Sequence, residues 1–292
     1  MKKITKAVIP AAGLGTRMLP IARTVPKEIL PIVDKPAISY LVDEAISSGV
    51  TDILIITNRG KYAIEDYFDY SPEYEESLRK KGKDDIIDSL RSAANRANIY
   101  FIRQKEARGL GDAVLRAKNF IGNEPFYVLY GDDIIMSEKP VCLQLAEAYD
   151  KYNLAVAGVK EVTAEQILKY SSLDAKPLPG ESNFYYVTDM IEKPKPEQVI
   201  TRLSILGRVL LTPDIFDILS ATKPGAGGEI QLTDAMRDLA RSKGMTAVDF
   251  DGIRYDMGSK LGFLFANVES ALKDPELGPE FKAYIKELAK KI

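Results

Sequence analysis

Five short, continuous apolar runs rich in β-branched residues mark the first half of the chain: Ala7–Ile9, Ile53–Ile56, Ile99–Ile102, Tyr127–Tyr130 and Leu154–Val159. They are short for helices, and none alternates apolar with polar as a strand with one wet face does. Each therefore reads as a strand buried on both sides. Helical patterns at Ile38–Ser47, Ala113–Phe120 and Leu143–Lys151 lie between them. Strands alternating with helices predict an α/β fold, a Rossmann-like mixed and mostly parallel sheet flanked by helices. With 292 residues, 46% of them hydrophobic, the chain can bury one large core and still carry a small C-terminal lobe.

The remaining segments fit around that sheet. Residues 70–98 turn charged and amphipathic, in Tyr74–Lys81 and Asp84–Ala97, and read as a helical excursion with a solvated face. Two prolines and a glycine make Leu173–Ser182 a loop by expectation. Phe184–Glu192 and Leu203–Leu211 read as longer strands about a proline-containing turn, and Thr246–Phe250 as a further strand. Gln231–Arg241, Leu261–Leu272 and Phe281–Lys290 read as helices, which makes 260–292 a C-terminal helical segment. No linker divides 1–292, so a single domain is expected.

Inventory excludes several chemistries. The chain has no histidine and one cysteine, Cys142, so zinc clusters, Ser-His-Asp triads and disulfide frameworks are ruled out. Cys142 sits in an apolar helical run and reads as a small buried hydrophobe. A formal net charge of −2 without a basic block argues against a nucleic-acid partner. The N-terminus enters the first strand without an apolar leader, and no run is long enough to span a bilayer, so a cytoplasmic protein with no membrane partner is expected.

Chemistry concentrates after the first strand, in Pro10-Ala11-Ala12-Gly13-Leu14-Gly15-Thr16-Arg17. Small residues directly after a buried strand let backbone N–H groups approach phosphate oxygens. Two common phosphate motifs fail here. The Rossmann fingerprint needs a small residue where Met18 stands, and a Walker A loop needs a Gly-Lys-Ser/Thr run that does not follow Gly13. What distinguishes the loop is the cation set behind it: Arg17, then Pro26-Lys27-Glu28. Arg17 can fork onto a polyphosphate, and Lys27 offers a compact charge.

Ala-Ala-Gly-Leu-Gly-Thr-Arg followed by Pro-Lys-Glu-Ile-Leu-Pro-Ile-Val-Asp-Lys-Pro resembles the bacterial UTP–glucose-1-phosphate uridylyltransferases of the sugar-nucleotide pyrophosphorylase superfamily. Later blocks stand in family order: Gly109-Leu110-Gly111, Gly131-Asp132-Asp133, Glu192-Lys193-Pro194, Gly228-Glu229-Ile230-Gln231-Leu232-Thr233-Asp234 and Asp256-x-Gly258. The resemblance implies in-line attack of glucose 1-phosphate on the α-phosphorus of UTP, giving UDP-glucose and pyrophosphate. A sugar phosphate is already an anionic nucleophile near neutral pH, so histidine-free chemistry suffices, resting on positioning and charge neutralisation.

Residue by residue, the resemblance implies Mg2+ held by Asp132, with Asp256 as a second contributor. Arg17 and Lys27 would serve the triphosphate, and Lys193 the sugar phosphate. The backbone of Ala11, Ala12, Gly13 and Gly15 would cover the nucleotide, with Gln104 and Gly109 reading uracil. Glu192, Gly207, Glu229 and the segment of Ser171 would face the sugar. A homodimer or homotetramer is also implied, with residues 70–98 and the terminal helix as candidate contacts.

Most of these residues also admit plainer roles. Asp132–Asp133 can be an Asx-capped turn, and Asp256 the cap of a helix starting near Lys260. Glu192-Lys193 can be a charged strand end, Gln104 a surface amide and Gly109 a turn glycine. Glu229 can be a first-turn acid, and Gly207 a bulge. The chain also departs from the family pattern: Asp112 and Tyr255 stand where histidines are common, and Ser171 where glycine is. Those departures leave open another sugar 1-phosphate or triphosphate such as dTTP, or a weakly catalytic UDP-sugar-binding regulator. A metal-dependent glycosyltransferase fits less well, because it handles no free triphosphate and has no use for Arg17 and the Pro-Lys-Glu triplet.

Overall fold

The computed structural model describes residues 3–291; residues 1, 2 and 292 of the expected domain lie outside the described residues. In chain order the first strands are β1 (Lys6–Pro10), β2 (Pro31–Ile32), β3 (Lys35–Pro36), β4 (Asp52–Thr57), β5 (Asn98–Arg103), β6 (Phe126–Leu129) and β7 (Asp133–Met136). They are followed by β8 (Ala155–Glu161), β9 (Ser171–Pro177), β10 (Phe184–Glu192), β11 (Leu203–Leu211), β12 (Met245–Asp249) and β13 (Ile253–Asp256). Nine of them form one sheet in the order β5-β4-β1-β6-β11-β8-β12-β10-β9. β11 and β10 pair antiparallel with both neighbours, while the other contacts are parallel, so all but these two strands point the same way.

Strand alternation divides the core in two. Ala7, Ile9, Ile53, Ile55, Tyr127 and Leu129 face one layer, with Ile38, Leu41, Val42 and Ala45 of helix Ala37–Ser47 and Val141, Cys142 and Leu145 of helix Val141–Tyr152. Val8, Leu54, Ile56, Phe126 and Val128 face the other, under Val114, Phe216, Leu219, Met236 and Leu239. Burial on both faces is what makes these strands read as unbroken apolar runs. Mainly parallel strands also place the C-terminal ends of β1, β4 and β6 on one rim, where open α/β sheets bind ligands.

One polar tie crosses the first layer. Arg208, in β11, is 1% exposed. Its Nε and Nη2 donate to the Glu44 carboxylate on helix Ala37–Ser47 at 2.7–3.1 Å. Its Nη1 donates to the carbonyls of Asp133 and Gly207 at 2.8 and 2.9 Å. Arg208→Met leaves a buried carboxylate without its partner and is expected to cost about 3 kcal/mol in urea unfolding. The double variant E44L/R208M, which removes both charges, is expected to recover most of that loss.

Several local expectations are corrected. Residues 173–177, expected to begin a loop, belong to edge strand β9, which pairs antiparallel with β10. Pro177 stands at its end, where an edge strand tolerates a missing N–H. The helix expected over Ala113–Phe120 is two, Leu110–Leu115 and Lys118–Ile121. The short pair β7–β13 was not anticipated, and its register sets Asp133 opposite Asp256. Residues 70–98 contain helices Pro72–Arg79 and Asp84–Arg96, and the chain closes with Lys260–Lys273 and Gly278–Ala289. Among the described residues no helix is long and apolar enough to cross a membrane.

Candidate active site

Two cavities open side by side on the sheet rim. The smaller, 420 Å³, has Ala12, Gly13, Gln104, Gly109 and Ala113 in its wall. The larger, 710 Å³, has Arg17, Tyr170, Ser171, Glu192, Lys193 and Asp256. Gly15, Thr16, Lys27, Leu110, Tyr130, Asp132 and Glu229 belong to both walls, so the two cavities are halves of one cleft.

The glycine loop is anchored from below by a pair the sequence analysis did not assign. Glu28, from the Pro-Lys-Glu triplet, is 1% exposed and accepts two hydrogen bonds of 2.8 Å from Lys61 Nζ. The same Nζ donates to the Ala11 carbonyl at 2.6 Å. Asn58 Nδ2 donates to the next carbonyl, Ala12. Burial raises the pKa of the Glu28 carboxyl and lowers that of the Lys61 ammonium, each partner offsetting part of the other's penalty. Glu28→Gln removes the counter-charge of a buried ammonium. It is expected to cost about 3 kcal/mol in chemical denaturation and to speed amide exchange over residues 11–17.

Acids and cations meet where the cavities join. Lys27 Nζ donates to Asp132 Oδ2. Arg17 reaches both acids, with Nη1 3.2 Å from Asp256 Oδ2 and Nη2 3.8 Å from Asp132 Oδ2. Burial works against the charged form of Asp132, but Lys27 and then Arg17 outweigh it and hold its carboxyl below the usual range. Burial also opposes the Lys27 ammonium, yet Asp132 and Glu28 raise its pKa above that of an ordinary lysine. Lys27 and Asp132 thus stabilise each other's charge.

Asp256 is not the cap of the following helix. That cap is Ser259, whose Oγ accepts from the Gly262 amide at 3.0 Å. Asp256 instead takes the Gly258 amide at 2.9 Å and the Tyr170 hydroxyl at 3.3 Å. Asp133, next to the metal candidate Asp132, turns inward to Arg254 at 2.7 Å. Burial, joined by the like charges of Asp132 and Asp256, pushes Asp133 up to about 6 despite Arg254. Arg254 also stacks on the Tyr170 ring, 4.7 Å from its centroid, and donates to its hydroxyl at 3.0 Å. Arg254 carried no motif, and Tyr170 opens the sugar-facing segment of Ser171 without a role of its own, so sequence reasoning assigned neither of them.

The donor set fits a hard cation. Among the described residues no cluster of three or more His, Cys, Asp or Glu side chains gathers. Asp132 and Asp256, both oxygen donors within reach of one guanidinium, suit a hard divalent cation that takes one or two carboxylates and completes its shell with other oxygen ligands.

On the far side, Lys193 has φ 46°, a left-handed conformation unusual for a residue with a side chain. Its amide donates to the Tyr170 carbonyl at 2.7 Å, which holds the turn in place. Glu192 accepts from the Thr233 hydroxyl at 2.8 Å, and burial raises the pKa of its carboxyl. Glu229 accepts from Gln231 Nε2 at 3.2 Å. The Ser171 hydroxyl accepts from the Ile205 amide at 3.1 Å and lies 3.4 Å from the Ser204 hydroxyl, so its polar end is occupied within the fold. Gly207 stands outside both cavity walls. It occupies the bulge of β11 at φ 75°, and a Cβ there would collide with the Asp133 side chain.

Gln104 and Gly109, the candidate base contacts, lie together in the wall of the smaller cavity. Gln104 Nε2 donates to the Gly109 carbonyl at 3.1 Å. Gly109, at φ 109°, packs so closely that a Cβ would sit 2.6 Å from the Ile230 carbonyl oxygen. Tyr255, one of the departures, lies under the site with its hydroxyl donating to Glu269 at 2.7 Å.

Comparison with known proteins agrees with this geometry. Residues 6–271 match the family model described as nucleotidyl transferase. The chain is 48% identical over 291 residues to the UTP–glucose-1-phosphate uridylyltransferase of Bacillus subtilis (strain 168), covering 100% of this chain and 99% of that one. Among solved structures it resembles a UDP-glucose pyrophosphorylase complexed with UDP-glucose, at TM-score 0.84 and 42% identity, covering 93% of this chain and 100% of that one. It also resembles the UTP-bound UGPase from Acinetobacter baumannii, at TM-score 0.89 and 35% identity, covering 98% and 99%. The chain belongs to the nucleotidyl transferase family, on the branch of the bacterial UTP–glucose-1-phosphate uridylyltransferases.

Proposed function

We propose that this chain is a cytoplasmic, magnesium-dependent enzyme that transfers the uridylyl group of UTP to glucose 1-phosphate, forming UDP-glucose and pyrophosphate. The observation that carries the reading is the junction of the two cavities, where Lys27 and Arg17 meet Asp132 and Asp256. Its support from relatives is the full-length likeness to proteins named for this reaction.

Asp132 and Asp256 are the residues to hold magnesium, which when bound neutralises phosphate charge as the transfer proceeds. Arg17 and Lys27 bind the triphosphate and take up the charge of the departing pyrophosphate. Lys193 holds the sugar phosphate so that one of its oxygens stands in line with the α-phosphorus. That oxygen forms the new bond to phosphorus as the bond from the α-phosphorus to the bridging oxygen breaks, and the electron pair leaves with pyrophosphate. Glu229 and Glu192 offer carboxylates to sugar hydroxyls, while the backbone at Ala12, Gly13 and Gly15 covers the nucleotide. Phe265 and the neighbouring Leu261, Leu264 and Val268 form an exposed apolar stripe on helix Lys260–Lys273, which supports assembly into a homodimer or homotetramer.

The test is a matrix of nucleoside triphosphates against sugar 1-phosphates, scored by pyrophosphate release with magnesium. UTP with glucose 1-phosphate is expected to exceed every other pair by about tenfold or more in kcat/KM, and chelation to abolish the signal. A preference below several-fold would remove the specific assignment.

A further inference from the structure

Asp112, a departure from the family pattern, is buried in the first turn of helix Leu110–Leu115 and touches the base-side wall of the cleft. Its Oδ1 accepts from Arg116 Nη2 at 2.5 Å, one helical turn on. Its Oδ2 accepts from Gln104 Nε2 at 2.8 Å. The second N–H of that amide goes to the Gly109 carbonyl at 3.1 Å. Both partners of Nε2 are pure acceptors, so the amide has one allowed orientation: turned over, it would set its oxygen against two oxygens. Both N–H bonds are then used, and Oε1 is the group left to face the 420 Å³ cavity whose wall includes Gln104.

We infer that Asp112 is a positioning residue for nucleobase selection: by fixing the Gln104 amide it presents a hydrogen-bond acceptor to the base. The inference rests on the nucleotide reading of this cavity. Uracil offers an N3–H donor to that acceptor, whereas cytosine sets a ring-nitrogen lone pair against it. A carboxylate at position 112 can only accept, so the amide keeps its orientation. Thymine has the same N3–H, so the device separates UTP from CTP and not UTP from dTTP.

The test is calorimetric binding of UTP, CTP and N3-methyl-UTP, in magnesium buffer, to the full-length protein and its D112N, D112S and D112E variants. Folding is checked by thermal melts. Wild type is expected to bind UTP about thirtyfold more tightly than CTP, and N3-methyl-UTP as weakly as CTP. D112N, which removes one of the two pure acceptors that hold the Gln104 amide and leaves the Gly109 carbonyl as the other, is expected to lower the UTP-to-CTP ratio severalfold, and D112E to retain most of it. D112S serves in place of D112N if the latter does not fold. An unchanged ratio in D112N or D112S, with both nucleotides weakened alike, overturns the inference. So does tight wild-type binding of N3-methyl-UTP. Pyrophosphate release by wild type is scored separately: its absence with the binding pattern intact would remove the enzymatic reading and leave the role of Asp112 standing.

Discussion

Asp132→Asn is expected to lower the rate of pyrophosphate release by about three orders of magnitude while the protein remains folded. The amide is nearly isosteric and still accepts a hydrogen bond from Lys27, so the hydrophobic core beneath is undisturbed. What disappears is the negative charge that Lys27 and Arg17 hold ionised and that the proposed metal site requires. A rise in the magnesium concentration needed for half-maximal rate should accompany the loss. Near-normal release by the purified variant would remove Asp132 from the metal role.

Lys193→Ala is expected to reduce kcat/KM for glucose 1-phosphate by about two to three orders of magnitude and to leave the KM for UTP within a few-fold. Lys193 stands in the wall of the larger cavity and outside that of the smaller, which motivates the split. Its amide stays bonded to the Tyr170 carbonyl, so the turn after β10 keeps its shape. Alanine has the same Cβ as lysine, so the left-handed backbone at φ 46° costs the variant no more than the wild type, and a melt registers any loss of folding separately from turnover. Equal loss toward both substrates would instead mark Lys193 as a support for the whole cleft.

The centre of the sheet was legible because β1, β4, β6 and β8 are buried on both faces and appear as unbroken apolar runs. β5 shows the same run but is an edge strand with Tyr100 and Ile102 exposed, so its expected burial on both sides is corrected. Edge strand β9 was not legible: Pro177 and Pro179 mark a turn in any local reading, and only pairing with β10 makes Ser171–Pro177 a strand. The β7–β13 pair is equally non-local, since Asp133–Met136 has no partner until Ile253–Asp256 arrives far along the chain. The register that sets Asp133 against Asp256 is therefore a tertiary fact.

A similar division holds for the site. Arg17, Lys27, Asp132, Asp256 and Lys193 were visible through motif blocks, and the fold brings all five to the wall of the larger cavity. The supports were not visible. Lys61 carries no motif, and its bond to the Ala11 carbonyl depends on a helix and a loop meeting in space. Glu28 sat within a quoted triplet, but nothing local says that it turns inward to Lys61. Gly207 has a packing reason for its glycine that no motif shows: a Cβ there would collide with the Asp133 side chain, in keeping with the bulge reading. Asp112 read as a weakness in the pattern until its contacts to Gln104 and Arg116 were seen.

The central claim, transfer of the uridylyl group of UTP, with its α-phosphorus, to glucose 1-phosphate, is tested most directly by following labelled phosphorus. UTP labelled at the α-phosphorus, incubated with glucose 1-phosphate and magnesium, is predicted to deliver its label to UDP-glucose. UTP labelled at the γ-phosphorus is predicted to deliver its label to pyrophosphate. Label from the α-position in any product other than a uridine diphosphate sugar, or γ-label released as orthophosphate by the purified enzyme, would contradict the account.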